Sequence, residues 1–131
     1  MRIPVGLTLG GLLLAAACSS SSTYGPGSGG GCSPTATQVC MVNLNTSFNP
    51  ASLTIARGTT VTWKNGDGIT HTTTSNPSNP AGCPAWNNTV GASGTSAGVT
   101  FSPSAAVTCQ YFCSIHATAT TGAMRGSIIV Q

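Results

Sequence analysis

Charged residues are scarce in this chain of 131 residues, which has four lysines and arginines, one acidic residue (Asp67) and no glutamate. Proteins that bind nucleic acid carry a clustered basic surface, and these few charges form no such cluster along the sequence. A surface of serine, threonine, asparagine and glycine also attracts a charged partner only weakly over distance. The composition therefore excludes a nucleic-acid partner and predicts that a protein partner docks on an apolar patch.

Histidine is also rare, and both histidines of the chain fall in one candidate metal site. His71 stands alone, Cys113 precedes His116 by three positions, and Met124 follows. Two imidazoles, a thiolate and a thioether suit a copper ion that cycles between Cu(I) and Cu(II). Zinc would require a fourth firm ligand, and the chain has no third histidine, while Asp67 falls in a turn. Met124 could alternatively be a methionine that only fills the core.

No segment has the periodicity of an amphipathic helix, whereas short runs alternate between apolar and polar residues. A segment rich in proline, glycine, serine and asparagine, residues 75–96, is predicted to be mainly loop. Seven or eight short strands at this spacing favour an all-β fold, a two-sheet Greek-key β-sandwich. The predicted strands are residues 42–45, 53–55, 60–64, 70–74, 98–101, 107–113 and 126–130.

The first 31 residues differ in composition from the rest. Residues 1–17 contain a short apolar run after Arg2, which is typical of a secretory signal. Its end, Leu14-Ala15-Ala16-Ala17-Cys18, resembles the lipobox of bacterial lipoproteins, which implies cleavage before Cys18 and acylation of its thiol. Ordinary secretion with a free Cys18 thiol is the alternative. Residues 18–31 are predicted to be a flexible Ser/Gly-rich tether, and residues 32–131 a single folded domain.

An exported lipoprotein of this kind would be held to a membrane by its N-terminal lipid. It would face the periplasm or the cell surface, and it would sit in the outer membrane if the cell is Gram-negative.

Two groups of motifs stand out along the domain: Phe48-Asn49-Pro50, residues 53–55, residues 58–65 and His71-Thr72 in the first, and residues 111–116 and 124–130 in the second. They resemble the front and closing halves of a cupredoxin, the small blue-copper fold, in its plastocyanin-like and amicyanin-like forms. The resemblance implies a cupredoxin-like domain with one type 1 copper, bound by His71, Cys113 and His116 with Met124 as the weak axial ligand. The loop before Met124 is longer than is usual in the family.

The same resemblance implies an electron carrier rather than an enzyme. The protein would be a monomer that passes single electrons between redox proteins such as cytochromes or oxidases. A catalytic second copper centre would need further histidines, and the chain has none. Electrons would leave through His116, and the surrounding exit patch would comprise Ile115, Ala117, Ala119 and Ala123. A copper-delivery lipoprotein without a role as an electron shuttle is the alternative function.

Four cysteines remain when Cys18 is assigned to lipid and Cys113 to copper. In an exported domain they predict two disulfides, with three possible pairings. The resemblance to plant-type cupredoxins favours Cys32–Cys40 with Cys83–Cys109. Pairing of Cys40 with Cys109 between the sheets is the alternative, because Cys109 shares strand parity with Cys113 and should point inward.

Overall fold

The computed structural model describes residues 31–44 and 46–131, and every helix or strand element within them is a strand. The all-β prediction is confirmed, with nine strands where the sequence indicated seven or eight. The predicted signal segment, Cys18 and the tether up to residue 30 lie outside the described residues. The strands are β1 (Gln38–Val42), β2 (Ser47–Asn49), β3 (Ser52–Ile55), β4 (Thr59–Asn65), β5 (His71–Ser75), β6 (Asn87–Val90), β7 (Val99–Phe101), β8 (Val107–Phe112) and β9 (Arg125–Val130).

The strands form two mixed sheets with the orders β2-β1-β4-β7 and β3-β9-β8-β5-β6. Strand β1 is parallel to β4 and strand β3 is parallel to β9, and the other pairs are antiparallel. Strand β3 lies between β2 and β4 in the chain but belongs to the other sheet, so the chain crosses repeatedly between the sheets. Such crossovers are typical of Greek-key sandwiches. Among residues 31–44 and 46–131, no helix is long and apolar enough to cross a bilayer.

Alternate side chains of the strands fill the space between the sheets. Val61 and Trp63 of β4 are fully buried, as are Cys109 and, to within 1%, Tyr111 of β8. The rings of Trp63 and Tyr111 meet edge to face with their centroids 5.3 Å apart. Because successive side chains of a strand point to opposite faces, Cys113 continues the inward series of β8 just beyond its end. The alternation of side chains along β8 therefore directs the side chain of Cys113 into the interior.

The first strand differs from the prediction for residues 42–45. Strand β1 ends at Val42, and Asn43 and Leu44 follow with positive φ angles of 65° and 46°. This left-handed backbone turns the chain away from the sheet, and the side chain of Leu44 is 64% exposed. Val42 is thus the last residue of a strand and Leu44 lies in a turn, so their alternation in the sequence does not reflect one strand.

Strand β6 lies inside residues 75–96, which the sequence predicted to be mainly loop. It is an edge strand that pairs antiparallel with β5, and only Val90 of its four residues is buried. A strand with one buried side chain shows no alternating pattern, because neither face is strongly apolar. Its pairing with β5 could therefore not be read from its own residues.

Both disulfides have the pairing that the resemblance favoured. Cys32 and Cys40 have their Cα atoms 5.9 Å apart, and those of Cys83 and Cys109 are 5.6 Å apart. Cys109 points into the core as predicted. The alternative pair of Cys40 with Cys109 is wrong, because Cys40 is bonded to Cys32. Cys40 is fully buried, but its neighbours Val39 and Met41 pack in the core cluster with Cys109, so strand parity directs Cys40 to the opposite face of β1.

Candidate metal centre

Three of the four predicted metal ligands meet at one end of the second sheet. His71 is the first residue of β5, Cys113 follows the last residue of β8, and His116 lies in the loop beyond it. Strands β5 and β8 are paired, so residues that are more than forty positions apart in sequence become neighbours. His71 and Cys113 are fully buried, whereas His116 is half-buried.

The donor atoms of these residues form a nearly regular triangle. The two Nδ1 atoms are 3.2 Å apart, and Sγ of Cys113 is 3.3 Å from Nδ1 of His116 and 3.8 Å from Nδ1 of His71. A circle through three points with these separations has a radius of about 2.0 Å, which is a metal–imidazole bond length and close to a metal–thiolate one. The geometry fits a trigonal metal site with two imidazoles and a thiolate, the plane of a blue-copper centre.

A tight turn brings the cysteine and the second histidine together. The carbonyl oxygen of Cys113 accepts hydrogen bonds from the N–H groups of His116 (3.1 Å) and Ala117 (2.8 Å). This turn places the imidazole of His116 beside Sγ while β8 still holds the cysteine. A Cys-x-x-His spacing therefore supplies two donors from one short segment.

Thr72 connects the two segments that carry the donors. Its backbone N–H points at Sγ of Cys113 over 3.3 Å, and its Oγ1 accepts a hydrogen bond from the N–H of Ser114 at 2.7 Å. A backbone donor aimed at the sulfur restrains the position of this sulfur within the donor triangle. This role of Thr72 was not predicted from the sequence, where only its position next to His71 could have indicated it.

Asp67 occupies the outer side of His71. Its Oδ2 lies 2.9 Å from Nε2 of His71, and the two side chains are 4% and 0% exposed. This contact engages the ring nitrogen opposite the one that faces Cys113, so Asp67 supports a ligand and is not one itself. From the sequence, Asp67 was predicted only to lie in a turn, although a lone acidic residue four positions before a candidate ligand was a usable signal.

The environment keeps His116 neutral over a wider range of pH. Burial lowers the pKa of its imidazole, the nearby His71 lowers it further, and Asp67 acts in the opposite direction. A neutral imidazole offers the lone pair that a metal requires.

Comparison with known protein families agrees with this geometry. The model of the copper-binding proteins of the plastocyanin/azurin family matches residues 35–131. The chain belongs to this family of cupredoxins. The resemblance found in the sequence is thereby confirmed, and the family and the donor set together fit a single type 1 copper as the cofactor. Comparison with curated proteins gave no match.

Several solved structures have a similar fold. The copper-containing nitrite reductase from Thermus scotoductus SA-01 aligns with a TM-score of 0.58 and 26% identity over 76% of this chain, which spans 23% of that protein. The purple cupredoxin from Nitrosopumilus maritimus aligns with a TM-score of 0.57 and 24% identity, covering 72% of this chain and 99% of that one. Amicyanin from Paracoccus versutus gives a TM-score of 0.57 and 23% identity, with coverages of 72% and 80%.

The backbone of Met124 in this cupredoxin contacts Cys113, one of the three residues of the donor triangle. Its carbonyl oxygen accepts a hydrogen bond from the N–H of Cys113 at 3.0 Å, directly before β9 begins. Its side chain is fully buried and packs within the core. The position suits an axial thioether, and the same burial suits a methionine that only fills the core, so the axial role stays a prediction.

The long loop between His116 and Met124 is held at several points. The carbonyl oxygen of Ala119 accepts hydrogen bonds from Nδ2 of Asn76 (2.9 Å) and from the guanidinium of Arg125 (2.8 Å). The guanidinium also donates to the carbonyl of Thr120 at 3.1 Å. At Gly122, which has a φ of +98°, a Cβ would lie 2.8 Å from Ala117, so the loop closes tightly there. The loop is thus held by Asn76, just beyond β5, and by Arg125, the first residue of β9.

The predicted exit patch is accessible, and two large apolar side chains of other segments are exposed as well. Ile115 is 54% exposed, Ala123 is exposed, and His116, Ala117 and Ala119 are half-exposed. In the described part of the chain, the other large exposed apolar side chains are Leu44 (64%) and Ile69 (37%). The backbone N–H of Leu44 contacts Asp67, and Ile69 lies between Asp67 and His71 in the chain. Neither residue was predicted from the sequence to be part of the exit patch.

Proposed function

We propose that this cupredoxin carries single electrons between redox proteins through one type 1 copper. The copper would be bound by His71, Cys113 and His116, with Met124 as the weak axial ligand. The triangle of donor atoms, with its radius of about 2.0 Å, is the observation that carries the proposal. When bound, copper would supply the change between Cu(I) and Cu(II).

The surrounding protein supports electron transfer because it restrains the donors. His71 is held by Asp67 and Cys113 by Thr72. His71 begins β5, and Cys113 directly follows β8, the strand that pairs with β5. A site that moves little between two oxidation states needs little reorganisation energy when an electron arrives or leaves. Such a restrained trigonal site suits an electron carrier.

The residues favour a carrier over an enzyme or a delivery protein. Both histidines of the chain are in the donor triangle, so no histidine is available for a second, catalytic copper centre. A delivery protein needs donors that exchange readily, but Cys113 and His71 are fully buried. Met41, the other methionine of the described residues, is buried in the core as well.

The optical spectrum of the oxidised, copper-loaded protein tests this function. We expect a strong visible band from charge transfer between the Cys113 thiolate and Cu(II), and we expect Cys113→Ser to abolish it. Wild-type protein loaded with Zn(II) is the control, because a d¹⁰ ion binds the same donors without colour. A colourless wild-type protein after loading with Cu(II) and oxidant would contradict the proposal.

The electron would pass through His116, the ligand nearest the solvent. The exit patch and the exposed Leu44 and Ile69 would offer an apolar face to the partner. Partners with an apolar docking face, such as cytochromes or oxidases, would suit this surface, since few charges are present to steer an encounter.

We also propose that the protein is an exported bacterial lipoprotein and acts as a monomer. The lipobox-like end of residues 1–17 and the Ser/Gly-rich residues 18–31 support a lipid on Cys18 and a flexible tether. The domain would then face the periplasm or the cell surface, from the outer membrane in a Gram-negative cell.

A further inference from the structure

Asp67 is the only acidic side chain of the chain, and it is buried at 5% exposure. Its Oδ2 accepts a hydrogen bond from the N–H of Leu44 at 3.1 Å and lies 2.9 Å from Nε2 of His71. Within residues 31–44 and 46–131, His71 is the only basic side chain whose nitrogen lies within 4.0 Å of this carboxylate, and no lysine or arginine does so. A buried carboxylate without a cation is costly, so an interior site keeps one only where something compensates its charge.

The turn that carries Asp67 is built around a second buried polar residue, Asn65. Its Nδ2 donates to the carbonyl oxygens of Ile69 (2.7 Å), Val90 (3.0 Å) and Gly91 (3.0 Å), and its Oδ1 accepts from the N–H of Asp67 (2.8 Å). Asn65 is fully buried, so these bonds are not exchanged with water. The carboxylate is therefore fixed against the outer edge of the His71 ring.

We propose that Asp67 is a positioning residue for the copper centre, a role that rests on the proposed function. Its carboxylate holds the proton of His71 on Nε2, which leaves the lone pair of Nδ1 directed at the donor triangle. Its negative charge lies on the far side of the His71 ring from the donor triangle and would stabilise bound Cu(II) more than Cu(I). A bound metal ion would in turn compensate the buried carboxylate.

Two substitutions separate the effect of the charge from that of the hydrogen bond. Asp67→Asn removes the charge and keeps an oxygen acceptor for Nε2–H. We expect the visible band to persist and the ratio of Cu(II) to Cu(I) affinity to fall about tenfold, which raises the reduction potential by about 59 mV. Asp67→Ala removes the acceptor as well, and we expect Cu(II) affinity to fall by about 10- to 100-fold.

Ala105→Lys is the matched control for charge. Ala105 is exposed in the turn before β8, at the opposite end of that strand from Cys113. The substitution changes the net charge by the same amount as Asp67→Asn but far from the centre. A potential of Asp67→Asn equal to that of Ala105→Lys would overturn the electrostatic role.

The tautomer of His71 is measured in the metal-free wild-type protein by ¹⁵N NMR of the ring nitrogens. We expect protonated Nε2 and unprotonated Nδ1, and a mixture of tautomers in Asp67→Ala. Protonated Nδ1 in the wild-type apoprotein would overturn the positioning role, whether or not any variant folds. A colourless copper-loaded wild type would contradict the proposed function, and the NMR result would still decide the tautomer.

Discussion

Each side chain that forms the donor triangle is fixed by a residue with a single, identifiable task. Asp67 orients His71, the N–H of Thr72 faces the sulfur of Cys113, and the turn at Cys113 sets His116. These supports come from the backbone or from short side chains, which lose little conformational entropy when they are ordered. At this scale the remaining question is the fourth ligand, Met124.

Substitutions of Met124 distinguish an axial ligand from a residue of the core. If the thioether is a weak axial ligand, Met124→Gln should lower the reduction potential, because an oxygen donor favours Cu(II), while the visible band persists. Met124→Leu should raise the potential by removing the donor. Voltammetry of the two variants and the wild type gives the answer, and we expect shifts of at least about 59 mV, a tenfold change in relative affinity.

Thermal unfolding of the metal-free variants supplies the control. Leucine and methionine have similar volumes, so Met124→Leu should change the free energy of unfolding by less than about 1.5 kcal/mol. Unchanged potentials in both variants would show that Met124 only fills the core.

At the scale of elements, the loop between β8 and β9 both closes the metal centre and exposes the exit patch. Asn76 and Arg125 hold its backbone through the carbonyls of Ala119 and Thr120, so its alanine side chains take no part in that anchoring. The side chains of Ala119 and Ala123 can therefore be changed without loss of these bonds. The loop is the element at which docking can be tested apart from copper binding.

A charge placed in the exit patch should slow electron exchange with the redox partner. For Ala119→Glu and Ala123→Lys we expect roughly tenfold slower exchange, since desolvating a charge at an apolar contact costs at least about 1.4 kcal/mol. Stopped-flow kinetics at several salt concentrations measures this rate, and the wild type should depend only weakly on salt.

Neutral variants of similar length, Ala119→Gln and Ala123→Met, are the controls for size, and the visible band should be the same in all four proteins. Unchanged rates in both charged variants, or a steep loss of wild-type rate with added salt, would mean that the partner docks elsewhere.

At the scale of the whole molecule, the metal centre lies at one end of the five-stranded sheet of the sandwich. The opposite sheet contributes Val61 and Trp63 to the core beneath β8. This packing fixes β8, the strand that leads directly to Cys113. The two disulfides join segments outside that centre, Cys32 to β1 and Cys83 to β8. The folded part should therefore bind copper with or without its N-terminal segment.

Cys18→Ser tests whether the chain is anchored by lipid. Expressed in a bacterium with a radiolabelled fatty acid, the wild-type protein should incorporate label and sediment with membranes, because an acyl chain adds about 0.8 kcal/mol per buried methylene. Cys18→Ser should lose the label and leave the membrane fraction. Ser21→Ala, a change of similar size in the tether, should keep both properties, and a wild type without label would favour ordinary secretion.

The amino-acid sequence by itself determined the fold class and the family of this protein. Turn signals and strand-forming residues predicted strands at residues 70–74 and 107–113, beside the site. His71, Cys113 and His116 could be predicted as ligands because thiolate and imidazole chemistry is local to each residue. Strand parity also predicted the inward direction of Cys109. These properties depend on residue type and on spacing along the chain, which a sequence displays directly.

Only the tertiary structure decided which residues support those donors. Asp67 meets His71 and Leu44 because a turn held by Asn65 folds back, and Thr72 meets Cys113 because β5 pairs with β8. Strand β6 forms by antiparallel pairing with the backbone of β5 at the edge of the sheet. Each of these contacts depends on the packing of the sandwich, which brings distant segments together, and no local sequence pattern predicts such contacts.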